Sequence, residues 1–161
     1  MTELTLGFRV PREVLDFAAR LLPSIAPDLA APRSLRPGLG SLTVRAGGGD
    51  GAVAEAAREA LAKEGSIGVI APDAMVEDVS RSLADLPHAV LDPDSAEEHR
   101  LLIVPATLAK GLEYDHVVVV EPADIVEAEP RGLARLYVVL TRAVTSLTVL
   151  HDKALPAQLA P

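Results

Sequence analysis

The sequence has no cysteine and no tryptophan, and aromatic residues make up only 2% of its 161 positions. Without cysteine the chain cannot form disulfides, thiolate nucleophiles or cysteine-based zinc sites. A core with so few rings must be built from aliphatic side chains, as are the buried parallel sheets of α/β proteins. The length suits one sizeable core, so we expect a single domain over residues 1–161.

Long apolar runs are also missing, and Met1–Arg9 lacks the basic start and apolar stretch of a signal peptide. We therefore expect a cytoplasmic protein without membrane contact. Fifteen basic against 23 acidic residues give a net charge of -8. Proteins that hold nucleic acid through phosphate contacts usually present a basic surface, so strong nucleic-acid binding by this chain alone is disfavoured.

Apolar runs and helical periodicities alternate along most of the chain. This alternation predicts an α/β fold with right-handed crossovers and a mainly parallel sheet. Strands are predicted at 4–9, 41–45, 67–70, 88–91, 101–104, 116–120 and 147–150. Helices are predicted from 12 to a stop at Pro23, at 53–63, from an N-cap at Asp73 to 83, and at 132–143. The proline- and glycine-rich segment 23–40 predicts a connecting loop, and an acidic turn is expected at Asp92 and Asp94.

A glycine cluster at Gly47–Gly51 separates a predicted strand from a predicted helix, where phosphate-binding loops lie. A P-loop ends in Lys followed by Ser or Thr, whereas here Gly51 is followed by Ala52 and Val53. The cluster is therefore interpreted as a flexible surface turn. If the chain contacts a nucleotide, a partner domain must supply the phosphate cradle. No metal site is predicted, because the four histidines are scattered without ligand spacing.

Two segments carry the strongest signal: PATLAKGLEYDHVVVVEP (105–122) and RLYVVLTRAVTSLTVL (135–150). The first resembles motif V of UvrD/Rep-type superfamily 1 helicases, and the second resembles their motif VI. GFRVPREVL near the start is similar, more loosely, to motif IV. The resemblance implies the C-terminal RecA-like (2A) domain of such a helicase, with a three-layer fold that lacks its own P-loop. It also implies that the chain is a fragment of a longer protein.

The resemblance also implies which residues are functional. Arg142 matches the motif VI arginine finger and Arg9 the motif IV arginine, both of which meet the γ-phosphate in this family. Glu113, Gly111 and Lys110 match motif V, where the glutamate lies beside the nucleotide sugar. A guanidinium reaching across a cleft would stabilise charge on the transferred phosphoryl group, so two such arginines make hydrolysis depend on closure.

The implied parent protein is an ATP-dependent DNA helicase. ATP and Mg²⁺ would be held mainly by an upstream RecA-like domain, and the isolated chain would be inactive. Simpler interpretations remain: Lys110–Gly111 as a helix stop, Glu113 as a solvated acid, and Arg142 as a residue that complements a helix C-terminus.

The family's DNA-tracking Thr and His are replaced by Pro105 and Thr107. Thr107 remains a candidate contact for single-stranded DNA, but this departure resembles the HelD-like branch, whose members act on RNA polymerase. The alternative function is therefore a module that remodels or recycles RNA polymerase. A self-contained small-molecule enzyme is the third alternative, and it lacks a complete cofactor loop.

Overall fold

The structure, a computed structural model, describes residues 10–26, 41–47, 49–91 and 99–159, with the backbone alone at residues 49 and 50. The predictions for 4–9, for Asp92 and Asp94, and for most of loop 23–40 therefore lie outside the described residues.

In the described part of the chain, six strands form one sheet in the order β1-β6-β5-β2-β4-β3, and every neighbouring pair is parallel. The strands are β1 (Leu42–Ala46), β2 (Ile67–Ala71), β3 (Ala89–Val90), β4 (Leu101–Pro105), β5 (Tyr114–Val120) and β6 (Ala143–His151). The predicted strands within the described residues are thus confirmed, and the sheet is fully parallel. Strand β5 is the third strand in this order, and its run of valines is buried on both faces of the sheet, as is typical of a central strand.

Helices cover both faces of the sheet, which gives a three-layer α/β fold as predicted. The helices are α1 (Arg12–Ala19), α2 (Leu22–Ile25), α3 (Gly49–Leu61), α4 (Val76–Ser82), α5 (Pro122–Glu127) and α6 (Gly132–Leu140). One face packs against α1, α2, α5 and α6, and the other packs against α3 and α4. Two 3₁₀ turns, Asp73–Met75 and Ala106–Leu108, follow β2 and β4.

Several predicted boundaries were wrong. The first helix ends at Ala19, and Pro23 lies in the first turn of α2, where proline needs no N–H partner. The glycine turn is shorter than predicted, because α3 already begins at Gly49. Helix α6 ends at Leu140 rather than at 143, and β6 begins at Ala143, so Arg142 lies in the turn between them.

The region after the central strands also departs from prediction. Helix α5 was not predicted, although its sequence PADIVE has proline at the first helical position. Asp73 was predicted as an N-cap, but its carboxylate makes no capping bond and instead accepts a hydrogen bond from the hydroxyl of Thr107.

No helix within the described residues is both long and apolar enough to cross a membrane.

Gly132, at the start of α6, allows this helix to pack closely on α5. A Cβ at residue 132 would lie 1.8 Å from the carbonyl oxygen of Val126, whereas a Cβ at Gly51 in α3 would meet nothing within 4 Å. We predict that Gly132→Ala lowers the free energy of unfolding by about 1–3 kcal/mol, because the clash involves backbone. The matched control Gly51→Ala should be neutral or slightly stabilising. Urea denaturation measures both, and equal stabilities of the two variants would contradict this packing.

Candidate functional site

The starts of β5 and β6 bring the two motif-like segments together. These starts belong to the amino edge of the sheet, which is formed by the first residues of the parallel strands. The loop 110–113 leads into β5 and the turn 141–142 leads into β6. The backbone N–H of Tyr114 donates to the carbonyl oxygen of Arg142 over 3.0 Å, which joins the loop to the turn.

Arg142 is held by three hydrogen bonds. Its Nε donates to the carbonyl of Val138 (2.9 Å), its Nη1 to the carbonyl of Leu112 (3.3 Å) and its Nη2 to the hydroxyl of Thr141 (3.3 Å). A guanidinium has five N–H donors. Two of them, one on each terminal nitrogen, therefore have no protein partner in the part of the chain that the structure describes. Such a pair can bind two oxygens of one phosphate or carboxylate group.

The bond to Val138 also bears on the simpler interpretation of Arg142. Val138 lies in the last turn of α6, and its carbonyl also accepts from the backbone N–H (3.2 Å) and the hydroxyl (3.1 Å) of Thr141. Arg142 thus adds a further donor to a carbonyl at the helix C-terminus, as that interpretation expects. Since this contact uses only Nε, it is compatible with a second role for the terminal nitrogens.

Charges around Arg142 are coupled. Burial lowers the pKa of Arg142, and the negative charge of Glu113 acts in the opposite direction. Burial raises the pKa of Tyr137, while the positive charge of Arg142 partly offsets that increase. Arginine remains protonated at any physiological pH, so these effects describe a partly desolvated cation beside an acid and a phenol.

Four of the sequence-predicted residues therefore share one region. Lys110, Gly111 and Glu113 are exposed in the loop before β5, and Arg142 lies beside them. Gly111 has a φ of +82°, a conformation that favours glycine, and a Cβ there would meet nothing within 4 Å. Arg9, the second predicted finger, lies outside the described residues.

Thr107 lies elsewhere, at the carboxyl edge formed by the last residues of the strands. Its hydroxyl donates to Oδ2 of Asp73 over 2.6 Å, and its backbone N–H donates to Oδ1 over 3.2 Å. Asp73 follows β2 and Thr107 follows β4, so this pair links the ends of two adjacent strands. The Thr107 hydroxyl is therefore bound to a carboxylate.

Sequence reasoning missed another acid at the carboxyl edge. Glu121 follows β5 directly, is 7% exposed and has a φ of +52°, which is unusual for a residue with a side chain. Its carboxylate accepts the backbone N–H groups of Asp152 (3.1 Å) and Lys153 (3.0 Å), which anchors the turn after β6. The signal available in sequence was its position immediately after HVVVV, since polar residues at strand ends meet at one edge of a parallel sheet.

No family model matches the sequence, and none of the curated proteins matches it. Among solved structures, the chain is similar to the C-terminal domain of a possible DNA helicase from Lactobacillus plantarum WCFS1. The TM-score is 0.71 at 24% identity, over 95% of this chain and 92% of that one. It is also similar to an arterivirus helicase, nonstructural protein 10, solved with DNA. Here the TM-score is 0.51 at 18% identity, over 89% of this chain but only 33% of that one.

These likenesses concern the fold. The described part of this chain has a single all-parallel sheet between two helical layers, and the likeness to that helicase domain covers 95% of the chain. The chain therefore has the RecA-like α/β fold expected from its sequence. Within the described residues, no group of three His, Cys, Asp or Glu side chains could hold a metal ion.

The coupling between Arg142 and Tyr137 can be measured directly, because the chain has only two tyrosines and no tryptophan. We predict that Arg142→Gln raises the pKa of Tyr137 further in a Tyr114→Phe background, since the offsetting positive charge is lost. Ultraviolet absorbance of tyrosinate against pH measures the change. Arg81→Gln, on the opposite face of the sheet, is the control and should leave the pKa unchanged. If replacing Arg142 leaves the pKa of Tyr137 unchanged, then Tyr137 does not interact with Arg142 as described.

Proposed function

We propose that this chain is the second motor domain of an ATP-dependent DNA helicase or translocase of the UvrD/Rep type in superfamily 1. In this proposal ATP binds to an upstream P-loop domain of the same polypeptide, and the amino edge described above closes over it. The observation that carries the proposal is the position of Arg142 beside the Lys110–Glu113 loop, with two of its N–H groups left without a partner among the residues that the structure describes.

Each residue has a chemical task in this arrangement. The terminal nitrogens of Arg142 would donate to γ-phosphate oxygens, where negative charge develops during phosphoryl transfer. Arg9 would supply a second guanidinium. The exposed carboxylate of Glu113 can accept hydrogen bonds from ribose hydroxyls, and Gly111 permits close approach of its backbone. Lys110 would add positive charge at the same amino edge.

The sequence indicates which ligands the upstream domain would have to bind. The glycine segment at 47–51 lacks the Lys-Ser or Lys-Thr pair of a P-loop, and the described residues offer no cluster of metal ligands. Mg²⁺ and most phosphate contacts would therefore belong to the upstream domain. Bound ATP would supply the phosphoanhydride whose hydrolysis drives domain movement, and the isolated chain would not turn it over.

A separate observation supports a second candidate function. The hydroxyl of Thr107, the residue at the family's DNA-tracking position, is bound to the carboxylate of Asp73. An acid beside this hydroxyl repels phosphate, so the position is poorly suited to a nucleic-acid track. This favours the HelD-like alternative, in which the motor remodels RNA polymerase.

The arginine finger can be tested in the full-length polypeptide. We predict that Arg142→Ala lowers kcat for ATP hydrolysis by about 10³- to 10⁵-fold, because the charge stabilising the transition state is lost. Arg142→Lys should recover little, since an ammonium cannot reproduce the planar fork. Arg81→Ala, an exposed arginine on α4, is the matched control. Turnover in Arg142→Ala equal to that of the control would remove Arg142 from the mechanism.

A second experiment separates the two candidate functions. If the motor tracks along DNA, single-stranded DNA should stimulate ATP hydrolysis by the full-length protein, and purified RNA polymerase should not bind it. If the HelD-like function holds, the protein should bind RNA polymerase in a pull-down, and DNA should give little stimulation. Measuring both in parallel decides between the two.

A further inference from the structure

A cavity opens at the carboxyl edge, away from the proposed nucleotide contacts. Its volume is about 540 Å³, within the range of ligand-binding clefts. It lies among the 3₁₀ turns after β2 and β4, helix α5 and the start of α6. It is lined by Pro72–Met75, Ala106–Thr107, Asp124–Ile125, Glu127–Glu129 and Arg135.

The topology makes this a favoured position for a ligand. From β2 the chain continues through α4, on one face, towards β3 and β4. From β5 it continues through α5 and α6, on the other face, towards β6. Because β2 and β5 are neighbours whose connections diverge, their carboxyl ends leave a crevice, and open α/β sheets bind ligands in such crevices.

The floor of the cavity is apolar. Pro72, Ala106 and Ile125 are buried beneath it, and Ala74 and Ala128 are exposed beside it. A ligand that fills this volume would therefore bury aliphatic surface, which contributes favourable free energy.

The rim is acidic. It contains four carboxylates and one cation, Arg135, which pairs with Glu129 at 3.2 Å. Lys153 reaches in from outside and pairs with Asp124. The other two of the four carboxylates, Asp73 and Glu127, form no ion pair within the described part of the chain.

Asp73 accepts its two hydrogen bonds from the backbone N–H and the hydroxyl of Thr107, which are neutral groups and add no positive charge beside the carboxylate. Glu127 is exposed at the end of α5. The 3₁₀ turn after β2 and the end of α5 therefore contribute one surplus negative charge each to a cavity with an aliphatic floor.

We propose that this cavity, which we call the switch-point cleft, docks a basic protein segment in which arginine or lysine alternates with aliphatic residues. The aliphatic side chains fill the floor, and the cations meet Asp73 and Glu127. The same carboxylates repel the phosphates of nucleic acid, which disfavours nucleic acid as the occupant. A small polyamine would satisfy the charges but could not fill the apolar floor. The proposal does not depend on ATP hydrolysis or on Arg142.

The probe is a fluorescein-labelled peptide of ten residues that alternates Arg and Leu, with Arg-Ser and Glu-Leu peptides of equal length as controls. Fluorescence anisotropy in about 0.15 M salt, where long-range attraction is screened, reports the Kd. The Arg-Leu peptide should bind more tightly than either control. Equal affinity of the Arg-Ser peptide would show attraction by charge alone and would overturn the proposal.

Variants place the binding in the cleft. The pair Asp73→Asn and Glu127→Gln should weaken Arg-Leu binding about tenfold. The matched pair Asp16→Asn and Asp85→Asn removes two exposed charges elsewhere and should change little. Ala128→Arg, at an exposed position, should abolish binding while leaving thermal unfolding unchanged. Equal effects of the two charge-removing pairs would refute a specific site.

Competition identifies the occupant. Neither spermidine at peptide-equivalent charge nor a single-stranded oligonucleotide should displace the bound peptide. Displacement by spermidine would assign the cleft to small polyamines, and displacement by the oligonucleotide would assign it to nucleic acid; either result contradicts the proposal. Since the assay uses no ATP, failure here leaves the arginine-finger experiment unaffected, and the reverse is also true.

Discussion

Parallel pairing of all six strands is the constraint on which the rest of this molecule depends. Because every strand points the same way, each connection must return from the carboxyl edge to the amino edge before the next strand begins. Residues that precede strands therefore gather at one edge, and residues that follow them gather at the other. Arg142 and Glu113 precede β6 and β5, whereas Asp73 and Thr107 follow β2 and β4. Two chemically different surfaces thus arise from one topological rule.

Packing between two neighbouring central strands also determines where the turn that carries Arg142 lies. Gly68 in β2 lies against Tyr114, since a Cβ at residue 68 would come within 2.6 Å of the Tyr114 ring. Tyr114 in turn starts β5 and donates its N–H to the carbonyl of Arg142. The position of the arginine therefore follows from packing in the sheet, because the turn that carries it is bonded to a buried strand.

Sequence patterns predicted the buried elements well and their ends poorly. HVVVV and SIGVIA predicted β5 and β2, because an apolar run between turn residues has few alternatives to a covered strand. Helix α5 escaped prediction because PADIVE is short and its start depends on Glu121, whose positive φ is stabilised by tertiary contacts rather than by local preference. The resemblance to motifs V and VI implied that Glu113 and Arg142 belong to one site, whereas the Asp73–Thr107 bond joins residues 34 apart and has no local signature.

The two edges differ in the charge that they can accept. At the amino edge, a partly buried guanidinium has two N–H donors with no partner in the described ranges. Donors held in place before a ligand arrives need little reorganisation to meet an oxyanion. At the carboxyl edge, Asp73 occupies the hydroxyl of Thr107, so an approaching phosphate would meet a carboxylate before it met a donor. An anion is therefore favoured at one edge and repelled at the other. The proposed nucleotide contacts therefore belong to the amino edge, where the Arg142 guanidinium is held, rather than to the carboxyl edge.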